Sequence, residues 1–151
     1  MFKILATDEL VSKSGNDGIP VFYGKIVIGD FQETFAASLA SWTREDYNRH
    51  WRKALEKLIS GTDRSAVITD YVEPPAHPSA ESYLVWWPLY RDGDTVYVQN
   101  HVLFFGQLTQ PLSPERPWDS VRDRQLIDEE GQKISEWTTT VDEIKHFLNQ
   151  R

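Results

Sequence analysis

Four histidines, His50, His77, His101 and His146, are the first residues to test for chemistry. None forms a helical metal-binding pair, and none shows a metal-ligand spacing with a nearby carboxylate. His101 lies on a predicted strand two residues from Gln99 and is the best placed to act alone. A strand histidine of this kind is normally packed or hydrogen-bonded. His77 falls in a proline-rich loop and is expected to be exposed. The chain has no cysteine, so no disulfide framework or cysteine-based zinc site is possible. There is no GxGxxG, P-loop, GxSxG or HExxH pattern. Ser41, Ser60, Ser82 and Ser120 each lack a local motif, although a triad assembled across the fold needs none. The carboxylates Asp92/Asp94 and Asp128/Glu129/Glu130 read as turn residues, because a calcium loop needs a longer alternating run of oxygen ligands. No catalytic residue, metal or cofactor is expected, and the chain is read as a non-enzyme.

The anomaly lies in the aromatic residues, and one stretch positions most of them. Ser82–Phe105 reads as two long strands joined by the turn Arg91-Asp92-Gly93-Asp94. The pleat puts Tyr83, Val85, Trp87 and Leu89 on one face of the first strand and Leu84, Trp86 and Tyr90 on the other. In the second strand Val96, Val98, Val102 and Phe104 oppose Tyr97, Gln99, His101, Leu103 and Phe105. Neither face is simply polar, so the sheet is either covered on both sides or covered on one and used for binding on the other. The adjacent Trp86 and Trp87 point to opposite faces. An exposed aromatic among acids would anchor a protein partner, whereas one among basic residues would stack on bases. Here the neighbours are acidic. Pro88 implies a bulge or an edge position within its strand.

Around this hairpin the other elements follow in order. Residues 1–18 give a short apolar start and a loop. Strands are expected over Ile19–Val27 and Phe31–Leu39, and again over Arg64–Val72. A helix over Thr43–Ser60 has Thr43 as its cap with Asp46 three residues on. Its apolar stripe is Tyr47, Trp51, Ala54, Leu55 and Leu58, and Gly61 stops it. Gly106–Pro117 is mostly loop, Trp118–Gln125 a short helix, Asp128–Gly131 a turn and Lys133–Thr138 a strand. Thr140 and Glu143 form a capping box for a last helix. The order ββαβββ-loop-βα defines an α+β fold with mainly antiparallel sheet and two main helices, in one domain spanning residues 1–151.

The net charge of −7 argues against unspecific binding to phosphate backbones and suits a basic partner such as a nuclease. No signal peptide or transmembrane run is evident, so the expected location is the cytoplasm. The alternative to a protein-binding role is a module for single-stranded nucleic acid. The charge opposes it, and no face rich in Lys or Arg accompanies the aromatics.

Three segments, SWTREDYNRHWRKALEKL (Ser41–Leu58), WWPLYRDGDTVYVQNHVLFF (Trp86–Phe105) and GQKISEW (Gly131–Trp137), occur in an order and spacing that resembles the CdiI immunity proteins of contact-dependent growth inhibition. The likeness is to the branch paired with a toxin that cleaves 16S ribosomal RNA. It runs over most of residues 40–148 and is weak before residue 20 and across Gly106–Gln125. It implies a Whirly-like fold and a cytosolic antidote that binds the C-terminal toxin domain of CdiA without doing chemistry. Recognition residues differ within such families, so no contact is transferred. From the residues alone, the expected toxin contacts are Asp70, Glu73, Glu81, Asp92 and Asp94, with Tyr71, Tyr83 and Trp86 or Trp87 as anchors. The oligomeric state is left open.

Overall fold

The computed structural model describes residues 1–14, 19–74 and 82–150, the side chains of 8–14 excepted. Its elements are β1 (Phe2–Ser14), β2 (Ile19–Ile28), β3 (Phe31–Ser38), α1 (Arg44–Ser60), β4 (Arg64–Asp70), β5 (Tyr83–Asp92), β6 (Thr95–Gln99), β7 (His101–Phe104), β8 (Glu136–Thr140) and α2 (Val141–Asn149). Two short 3₁₀ turns, Phe105–Gln107 and Pro117–Ser120, lie between β7 and β8. The α+β class with antiparallel sheets and two helices is the expected one.

The strands form two sheets. One is β1-β2-β3, and the other runs β4-β5-β6-β8 with β7 also on β5. Both tight hairpins close through Gly-Asp. Gly29 and Gly93 take positive φ, +62° and +61°, between the paired residues Ile28/Phe31 and Asp92/Thr95. A two-residue loop whose first residue has positive φ matches the twist of the strands it joins.

The sheets face each other across the core. Phe31 of β3 stacks on Trp137 of β8 at 4.1 Å, and Trp87 of β5 lies 5.5 Å from Trp137. At Gly24 of β2 a Cβ would stand 2.3 Å from the ring of its partner Phe35, so glycine is required there for the ring to lie across the strand. That ring in turn meets Trp51 of α1 edge-on at 5.7 Å.

Helix α1 forms because its stripe is apolar and its ends are capped. The Thr43 and Asp46 side chains and backbone amides satisfy each other, at 2.9 and 3.1 Å. Its C-terminal carbonyls, Leu58 and Ile59, accept from the Arg91 guanidinium at 3.1 and 2.8 Å. The buried stripe contains Tyr47, Trp51, Ala54, Leu55 and Leu58, as expected, and also His50.

This stripe lies along β4, the edge of the five-stranded sheet. Ile68 turns its backbone away from β5. Its N–H donates to His50 Nε2 at 2.7 Å, and its carbonyl accepts from Trp51 Nε1 at 2.8 Å. Just past β4, the Tyr71 N–H donates to Tyr47 Oη at 2.9 Å, and Tyr47 Oη donates to the Ser38 carbonyl at 2.7 Å. Helix side chains therefore stand where a further strand would pair.

Five boundaries differ from the sequence reading. Residues 2–14 are a strand where only a short apolar start was expected: Phe2 and Ile4 alternate inward, and ladder pairing to β2 extends the strand; the loop expected over Ser14–Gly18 lies, after Ser14, outside the described residues. The strand expected over Arg64–Val72 ends at Asp70. Pro88 occupies neither an edge nor a bulge of β5. With Ile68 facing outward, the pairing parity turns Trp86 and Pro88 toward β6 and β7, and the missing donor of Pro88 falls where β6 stops at Gln99. The register against β5 is the same on both sides of Asn100, so β6 and β7 are one strand interrupted by a proline on its neighbour. The helix expected over Trp118–Gln125 is only the 3₁₀ turn Pro117–Ser120, because the carbonyls of Val121 and Gln125 are drawn to Arg64 and Gln99. The strand expected over Lys133–Thr138 is Glu136–Thr140, and Lys133 makes only an isolated bridge to Ile127.

No helix among the described residues is long and apolar enough to cross a membrane.

Two outcomes test the sealed edge. Trp51→Phe leaves the Ile68 carbonyl without a donor and is expected to cost about 1–3 kcal/mol in urea unfolding. Burial, opposed by a hydrogen bond with the Pro114 backbone, lowers the pKa of His50 to about 3. The unfolded chain takes up this proton near pH 6.5 and the folded chain does not. The contribution is complete above the unfolded value and is lost as pH falls from it toward the folded one. Compared with His50→Gln, the protein is expected to lose about 2 kcal/mol more stability between about pH 7 and pH 5, measured by urea unfolding at each pH.

Candidate functional site

The inner face of β5 carries Trp87 and Leu89, both fully enclosed between the sheets. The outer face carries Leu84, Trp86, Pro88 and Tyr90, beside Gln99, His101 and Leu103 of β6 and β7. A second sheet does not cover it. The connection from β7 to β8 folds back over it and leaves an open groove of about 900 Å³. Trp86, Tyr90, Gln99 and His101 are among the residues of the floor, and Arg122, Asp123, Ile127 and Asp128–Glu130 are among those of the rim.

A polar network ties rim to floor. Gln99 is buried, and its amide donates to the Gln125 carbonyl at 2.9 Å and to Glu136 Oε2 at 2.8 Å. Its Oε1 meets His101 Nε2 at 2.7 Å. Arg124 grips Glu136 with two hydrogen bonds, 2.8 and 2.5 Å, and lies over the Tyr97 ring at 3.8 Å. Hydrogen bonding from Arg124, then from Gln99, holds the Glu136 carboxyl below its usual range against the effect of burial. Burial lowers the pKa of His101, which favours the neutral ring. From the other side Arg64 donates to the Val121 carbonyl at 3.2 Å and to Asp123 at 3.0 Å. Asp128 builds the turn, accepting the N–H groups of Glu130 and Gln132, both at 2.9 Å. Its side chain and the positive φ of Gly131, +80°, make this the turn read from the sequence.

Among the described residues no group of His, Asp and Glu is arranged to hold a metal ion. The groove offers no nucleophile paired with a base. Its polar groups are largely satisfied within the chain, and carboxylates and apolar side chains of its rim face solvent.

The residues expected at a contact surface are not gathered in one place. Asp70 is half-buried and accepts the Ser38 N–H at 3.1 Å, linking β4 to β3; burial raises its carboxyl above the usual range. Tyr71 is buried, with its ring stacked on Trp42 at 4.4 Å. The Glu73 N–H donates to Ser41 Oγ at 2.8 Å, and its side chain is exposed. Glu81 lies outside the described residues, as does His77. Tyr83 is half-exposed beside Phe104. Trp86 is only 4% exposed and Trp87 0%, so neither offers an anchor in this structure. Trp87 is buried between the sheets and Trp86 beneath the folded-back connection, while the outer face keeps the open groove beside Trp86. Asp92 and Asp94 are exposed at the β5–β6 turn. They stand one strand length, roughly 30 Å, from Tyr83 and the end of β4. The sequence reading missed the Gln99–Glu136–Arg124 network and the exposed pair Leu126 and Ile127. The length of the β7–β8 connection was the available signal, since long irregular segments in compact domains are usually functional.

The family model for the CdiI N-terminal domain matches residues 37–147. Over 149 residues, 99% of this chain and 97% of the relative, the sequence is 33% identical to the immunity protein CdiI of Enterobacter cloacae subsp. cloacae. The solved CdiA-CT/CdiI toxin and immunity complex from Enterobacter cloacae contains a chain that superposes with a TM-score of 0.82 at 32% identity, covering 98% of this chain and 96% of that one. The chain belongs to the CdiI immunity-protein family.

Replacing Gln99 by Leu removes its hydrogen bond to the Gln125 carbonyl of the rim and its hydrogen bond to Glu136, the partner of Arg124. It is expected to cost about 1–3 kcal/mol and to raise amide hydrogen exchange by about tenfold in residues 124–127, with exchange in α1 unchanged.

Proposed function

We propose that this protein is a cytoplasmic antidote that binds the C-terminal toxin domain of a CdiA protein and neutralises it without chemistry of its own. The toxin is taken to be a basic nuclease acting on 16S ribosomal RNA. The observation that carries the reading is the likeness along nearly the whole chain to a CdiI protein solved together with its toxin. The charge supports it. An inhibitor of a ribonuclease covers a cleft built for phosphates, and a chain of net charge −7 supplies carboxylates in their place. The nucleic-acid alternative needs exposed rings on which bases stack. Trp86, Trp87 and Tyr90 are buried, and the Tyr97 ring is occupied by Arg124.

The test uses the C-terminal domain of the CdiA protein encoded beside this one. Calorimetric titration is expected to give a dissociation constant near 1 nM, about −12 kcal/mol, and an equimolar amount is expected to stop cleavage of ribosomal RNA. The association rate is expected to fall as salt rises from low to physiological strength. An active toxin domain that neither binds nor is inhibited would overturn the reading.

A further inference from the structure

We infer that the toxin docks on the outer groove and its rim, residues 122–133, through a basic segment that also carries an apolar side chain, and not on the β5–β6 turn. This rests on the proposed function and names the surface that performs it.

Three observations converge on the rim. The first is exposed apolar area. Leu126 and Ile127 are 56% and 59% exposed and adjacent in the chain. Burying two such side chains favours association, and large apolar groups rimmed by polar ones characterise protein interfaces.

The second is fixed position. The segment between β7 and β8 contains only two short 3₁₀ turns, and residues 122–133 are all exposed. Yet its backbone is held from beneath by Arg64 and Gln99, and its tip by the Asp128 turn. The Ile134 N–H also donates to the Leu126 carbonyl at 2.9 Å. A loop held in one shape while its side chains face water loses little conformational entropy on binding.

The third is charge. Asp123, Asp128, Glu129 and Glu130 line the groove against the single guanidinium of Arg122. Glu129 and Glu130 form no ion pair among the described residues. Arg124, also in this stretch, is neutralised by Glu136, and the remaining cation, Lys133, lies at its far end. A partner segment bearing Lys or Arg completes the pair of free carboxylates while its apolar side chain covers Leu126 and Ile127. The hairpin turn offers the carboxylates Asp92 and Asp94 away from this groove, and at the opposite end the half-exposed Tyr83 and Val102 stand beside Phe104 of the groove wall.

The experiment titrates the adjacent CdiA C-terminal domain with the protein and three double variants, all at exposed positions. Leu126→Ser with Ile127→Ser is expected to weaken binding by at least about 100-fold, chiefly through faster dissociation. Glu129→Lys with Glu130→Lys is expected to weaken it by about tenfold or more, chiefly through slower association at low salt. Asp92→Lys with Asp94→Lys is expected to stay within about twofold, as for residues outside an interface. Hydrogen exchange of the unaltered protein gives an independent readout, with protection on complex formation expected at residues 122–133. Wild-type binding with unaffected rim variants, or equal losses from the hairpin variant, would overturn the surface and leave the immunity reading standing. Failure of the unaltered protein to bind an active toxin domain would overturn that reading and the surface with it.

Discussion

The edge of β4 is the constraint on which the rest of the structure depends. A strand at a sheet edge has backbone donors and acceptors with no strand to pair them, and burial without partners costs about 1–3 kcal/mol per group. Here α1 supplies the partners. Trp51 and His50 take both backbone groups of Ile68, and Tyr47 bridges Tyr71 and Ser38. The same three side chains fill the space between helix and sheets. The axial position of α1, the closure of the core on that side and the neutral state of His50 are thus one arrangement. It also blocks pairing of β4 with another chain.

The two faces of the five-stranded sheet are closed differently. The inner face is filled by aromatic contacts with the three-stranded sheet, and the β4 edge is taken by the helix. No regular element covers the outer face. An irregular segment does so instead, with buried Gln99 and half-buried Arg64 holding backbone carbonyls that a helix would have satisfied internally. Residues beneath the segment fix its path and those above it face solvent, so under the proposed docking stability and recognition rest on different side chains.

Several features were legible in the sequence because they are local. The caps at Thr43 and Thr140, the apolar stripe of α1 and the Gly-Asp hairpins depend on residues a few positions apart. So does the Asp128–Gly131 turn. The α2 box illustrates the limit. Thr140 accepts the Glu143 N–H at 3.1 Å as expected, but the Glu143 carboxylate turns to the N-terminal amine and Thr139. A local pattern located the helix, and a residue from the far end of the chain took the side chain.

By itself the sequence determined the α+β class, both helices, the central hairpin with the faces of its strands, and the family through the order of its aromatic segments. Periodicity and turn chemistry act over short distances and are written directly in residue types. Tertiary structure decided what lies against each face. Trp86 and Trp87 look alike as neighbours on a strand, and only the packing of a second sheet on one side and a folded-back segment on the other buried both. The strand at residues 2–14 was drawn out by its partner β2, and the interruption at Asn100 by Pro88 across the ladder. The acids around the hairpin were separated by the length of β5, whereas Leu126, Ile127 and their carboxylate neighbours were presented together because distant Arg64 and Gln99 hold the chain beneath them. Contacts between residues far apart in sequence leave no periodic trace, so the arrangement of this rim emerged only from the fold.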